Sequence, residues 1–103
     1  MHLLQILLPL RDQEGRPFPR SDFGRVREEL VERFGGVTAY LQAPAQGVWK
    51  DEEEGEVEHD EIVVLEVMVD PLDRDWWRRY CEELRRRFRQ DELVIRAMEM
   101  ERL

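Results

Sequence analysis

Four polar side chains of this sequence fall where they could meet on one face of a sheet: Gln5, Tyr40, Glu66 and Arg96. Each lies in an apolar run of strand type. Successive strand side chains point to opposite faces, so each polar residue is set against its strand's main apolar set. A carboxylate near a guanidinium, with a phenol and a carboxamide in reach, can bind a small polar ligand or move a proton. Apolar surroundings raise a carboxylate pKa towards acid–base work, whereas a neighbouring arginine opposes that shift. These four are the expected ligand-binding residues. No catalytic residue is assigned.

Other chemistry finds few side chains to use. The chain has one serine (Ser21), one threonine (Thr38), one cysteine (Cys81), one lysine (Lys50) and no asparagine. Ser21 opens a helix, where capping is the ordinary role. Cys81 falls on or beside the apolar stripe of a second helix, where thiols are usually inert. Lys50 neighbours acidic residues that raise an ammonium pKa, which is the wrong direction for Schiff-base work. Covalent catalysis is therefore not expected. The single cysteine also excludes an intrachain disulfide and suits a reducing, cytoplasmic compartment.

The charge is unevenly placed. Twenty-four acidic and sixteen basic residues give a net charge of −8. Asp51 to Glu61 (DEEEGEVEHDE) holds eight of the acids and no lysine or arginine, so the remainder balances to zero. An acidic balance argues against nucleic-acid binding, which needs clustered cations. His59 among Glu58, Asp60 and Glu61 supplies metal-ligand types, but alternation keeps these neighbours from converging and no zinc or calcium spacing is present. Neither a metal site nor a cofactor is expected. The acidic tract reads as a hydrated, dispensable hairpin tip. The apolar N-terminus (MHLLQILLPLRD) lacks a basic lead and a cleavage site and is too short to span a bilayer; a first strand is expected, not a membrane segment.

Two strand–helix–strand units must position the four polar residues. Leu3 to Leu8, a helix over roughly Arg20 to Phe34, and Gly36 to Leu41 form the first. Ile62 to Val69 (IVVLEVMV), a helix from Asp73 towards Gln90, and Leu93 to Met100 form the second. The first helix carries Phe23, Val26, Leu30 and Phe34 as one stripe and stops at Gly35-Gly36. The second is capped by Asp73, and its stripe is Trp77, Tyr80 or Cys81, Leu84 and Phe88. Arg85, Arg86, Arg87 and Arg89 read as a solvated face matched to the helix dipole. Between the units lies a long hairpin irregular at Pro44, with Trp49 expected opposite Val57 and Tyr40 opposite Glu66.

The string FGGVTAYLQAP, a Gly-x-Trp arm, an acidic tip and EIVVLEVMVD together resemble small uncharacterised bacterial proteins with a ferredoxin-like fold. The resemblance covers most of the chain and carries no activity. It implies a single α+β domain over residues 1–103: a βαββαβ sandwich, with a four-stranded antiparallel sheet, two helices on one face and a long hairpin between its second and third strands. Known chemistries of that fold do not match, since the catalytic asparagine of acylphosphatases, the N-terminal proline of tautomerases, RNA-binding aromatic strands and cluster cysteines are all missing.

In the usual 4-1-3-2 order, Gln5 lies between Glu66 and Arg96. The opposite face also presents Ile62, Val64, Met68, Val94 and Met98, which is too apolar for open water. The preferred reading is a homodimer through this face, acting as a small-molecule binding or interaction module. The alternative is a dimeric α/β-barrel-type enzyme that encloses a cavity and uses these residues for acid–base or oxygenase-like chemistry.

Overall fold

The computed structural model describes residues 1–42, 49–50, 57–58 and 62–103, with side chains outside 40–61. Strand β1 spans His2–Pro9, helix α1 Arg20–Phe34 and strand β2 Thr38–Gln42. Two short strands follow, β3 (Trp49–Lys50) and β4 (Val57–Glu58); then come β5 (Ile62–Val69), α2 (Arg74–Arg87) and β6 (Val94–Glu99). The molecule is an α+β sandwich. Its main sheet has four antiparallel strands in the order β2-β5-β1-β6, and β3 pairs with β4 separately.

Strict alternation builds the core. Leu4, Ile6 and Leu8 of β1 point to the helices, as do Leu65, Val67 and Val69 of β5. Against them pack Val26 and Leu30 of α1 and Trp77, Tyr80, Leu84 and Phe88 of α2. Tyr80, not Cys81, completes the second stripe. Cys81 is half-buried and donates from Sγ to the Leu93 carbonyl at 3.4 Å. Ala39 and Ala97 stand level with Leu65 and Leu4 on the edge strands and are exposed, their side chains being short.

Aromatic contacts fasten both ends of the helix layer. Phe23 lies 5.5 Å from Phe88 at one end, and Phe34 stacks on Trp77 at 5.2 Å at the other. The start of α1 thus meets the end of α2, and the helices run antiparallel. Asp73 caps α2, its side chain accepting from the Trp76 amide at 3.1 Å. Pro19 stands at the cap position of α1 with no side-chain bond, so Ser21 does not play the capping role expected of it. Gly35 closes α1 in the left-handed region (φ 83°), where a side chain would be strained.

The hairpin register differs from expectation in two places. Thr38, not Tyr40, stands opposite Glu66; Tyr40 pairs with Val64. In the short ladder Trp49 stands opposite Glu58, and Lys50 opposite Val57. The expected acidic tip and the bulge at Pro44 lie outside the described residues. Among those that are described, no helix is long and apolar enough to cross a membrane.

Candidate functional site

The face of the sheet turned away from the helices carries the polar ladder. β1 lies between β5 and β6, and Gln5 is level with Glu66 on one side and Arg96 on the other. The Gln5 amide joins them. Its Nε2 donates to Glu66 Oε2 at 2.8 Å, and its Oε1 accepts from Arg96 Nε at 3.0 Å. A glutamine held at both ends has one amide orientation, so the carboxylate and guanidinium are fixed at opposite ends of a three-strand dipole. Neither makes another hydrogen bond or ion pair among the described residues. The second Glu66 oxygen and the two terminal nitrogens of Arg96 have no partner among the described residues.

Thr38 continues the ladder on β2 and is exposed. Tyr40 is one pleat further along β2, level with Val64, and its side chain lies outside the described set. The structure therefore brings together three of the four expected residues, Gln5, Glu66 and Arg96, and sets Tyr40's backbone on the neighbouring row. That row is apolar: Val64, Leu7 and Val94 lie level, as do Met68, Leu3 and Met98 on the other side. Met68 is 50% exposed, Val94 49% and Met98 42%, whereas Val64 is buried at 5%.

A second polar cluster, not singled out by the sequence, joins the helices. Arg87 grips Glu29 of α1 with both terminal nitrogens, one at 2.8 Å, and reaches Glu83 at 3.1 Å. The Tyr80 hydroxyl donates to Glu29 Oε1 at 3.4 Å. The bidentate Arg87 hydrogen bonds hold the Glu29 carboxyl below its usual range. Burial pushes the Tyr80 phenol well above its usual value, and the Glu29 charge adds to the rise. Arg87 is not the solvated side chain expected at the end of α2, since its side chain is only 16% exposed. Its partner is 58 positions away in sequence, and the only local signal is Glu83 one turn earlier.

An open groove of about 430 Å³ runs beside this cluster, lined by Glu29, Trp76, Arg79, Tyr80, Glu83 and Arg86. Trp76 is already occupied on its rings, stacked on Tyr80 at 4.8 Å and covered by the Arg33 guanidinium at 4.2 Å. These contacts tie α1 to α2. Burial also raises the Cys81 thiol, which makes it a poorer nucleophile. Among the described residues no three His, Cys, Asp or Glu side chains are grouped to hold a metal ion. His59 and its acidic neighbours lie outside that set.

No family model matches the chain, and no curated protein matches it. Among solved structures it is similar to a phage SAM lyase in complex with S-methyl-5′-thioadenosine, at 16% identity and a TM-score of 0.58. That match covers 95% of this chain and 80% of the other. At this identity the two share a fold.

Proposed function

We propose that this protein is a cytoplasmic binding module of ferredoxin-like fold that acts as a homodimer through its open sheet face and takes a small polar ligand there. The observation that carries this reading is the Gln5-tied pair of Glu66 and Arg96, set between rows of half-exposed Met68, Val94 and Met98. Counting only the strands of the main sheet from the β6 edge, the order is fourth, first, third, second, which supports the fold assignment. A contiguous apolar patch around a polar centre is the usual make-up of an interface or ligand site. The lone cysteine supports a reducing compartment.

The test uses residues exposed in the single chain. Met68→Arg and Met98→Arg should each convert the dimer to monomer at micromolar concentration with the helical circular-dichroism signal unchanged. Variants that stay dimeric would remove the open face from the interface. Val64→Arg is a poor probe, because Val64 is buried within the protomer and its replacement would unfold the sheet.

A second reading, an acid–base enzyme on the same face, draws on the structural neighbour, whose bound ligand is S-methyl-5′-thioadenosine. Glu66 would be the proton-handling group, with Arg96 and Tyr40 as binding residues. Incubation with SAM, named with that neighbour, separates the readings. Product release that Glu66→Gln abolishes supports the enzyme; no turnover leaves the binding module.

A further inference from the structure

The polar ladder also specifies how two copies meet, given the dimer proposed above. Gln5 is the midpoint of the ladder, with Glu66 one strand away on one side and Arg96 one strand away on the other. In a face-to-face pair the two-fold axis lies between the sheets. Two orientations keep the strands aligned: an axis along the strands or an axis across them. An axis across the strands places Glu66 on the partner's Glu66 and Arg96 on the partner's Arg96, opposing like charges in a desolvated seam. An axis along β1, over Gln5, exchanges the β5 and β6 sides and preserves height along the strands. Glu66 then faces the partner's Arg96, and Arg96 the partner's Glu66.

We infer that the protein dimerises about a two-fold axis parallel to β1, with Glu66 paired to the partner's Arg96. The same operation matches the apolar rows. Met68 falls over the partner's Met98 and Val64 over the partner's Val94, so no apolar residue of these rows is set against a charge. The second Glu66 oxygen and the terminal nitrogens of Arg96, without partners among the described residues, thereby gain them across the interface. Because β2 extends the sheet on one side only, each β2 overhangs the partner's β6 edge. That leaves two equivalent slots, each bordered by Thr38 and Glu66 of one protomer and Arg96 of the partner subunit.

Charge exchange tests the arrangement. Glu66→Arg and Arg96→Glu should each weaken dimerisation at least tenfold, measured by sedimentation at micromolar protein, because each turns both cross-dimer pairs into like charges. Combining the two substitutions in one chain should restore the affinity to within threefold of wild type. Glu66→Gln with Arg96→Gln, singly and together, gives a milder cycle should a reversed charge impair folding, and it should show positive coupling between the two positions. If the single substitutions leave the dimer unchanged, or the combination does not rescue it, this axis is wrong although the dimer stands. A monomeric wild type overturns the dimer itself.

Discussion

At the residue scale the two polar clusters differ in how far the sequence exposes them. Gln5, Glu66 and Arg96 were legible because strand alternation and strand order put them on one row, and neither depends on side-chain detail. The Glu29–Arg87–Tyr80 cluster was not, because it joins two helices whose contact no local pattern encodes. Its energetic role is testable. Replacing Arg87 with Met should cost about 1.5–3 kcal/mol in urea unfolding, since charge-assisted hydrogen bonds are lost and Glu29 keeps its charge with only the Tyr80 hydroxyl bonded to it among the described residues. The pH dependence follows from the lowered Glu29 pKa. Its contribution is complete above the ordinary value of 4.5 and is lost as pH falls through the lower folded value. Wild type should therefore destabilise in acid more steeply than Arg87→Met. Tyr80 works in the other direction. Its pKa is raised, so its contribution is complete below the ordinary value of 10.0 and lost as pH rises above it. Tyr80→Phe should flatten that alkaline loss, followed by fluorescence-monitored unfolding.

At the element scale, the helices and the apolar strands were readable and the register of β2 was not. Counting back along the hairpin from Trp49 opposite Val57, past the irregularity at Pro44, set Tyr40 opposite Glu66, two places from the observed partner Thr38. A slip of two residues keeps every side chain on its face, so the apolar pattern cannot detect it; only turn geometry decides. Helix starts show a related distinction. Asp73 bonds the Trp76 amide, whereas Ser21 lies inside α1 behind Pro19 and caps nothing. Asp73→Ala should cost about 1 kcal/mol, and Ser21→Ala should fall within about 0.5 kcal/mol of wild type. Equal losses in chemical denaturation would contradict this account of the two termini. Gly35→Ala should also destabilise, because its φ of 83° lies where a Cβ is strained.

At the scale of the whole molecule, charge is unevenly divided along the sequence. The net charge of −8 is accounted for by Asp51 to Glu61, while the open sheet face carries a balanced Glu66–Arg96 pair among apolar rows. The tract was legible because it is contiguous in sequence, and the Gln5 midpoint because strand order and alternation imply it. The register adds that Glu66, Gln5 and Arg96 stand level. If the tract is the hydrated tip that its sequence suggests, its charges are screened beyond about 8 Å at physiological salt, and shortening it should shift Tm by only a few degrees. The homodimer is the central claim, and molar mass by light scattering tests it most directly. At micromolar concentration the account predicts twice the 12.5 kDa of the chain. A mass of 12.5 kDa that does not change with concentration would contradict it.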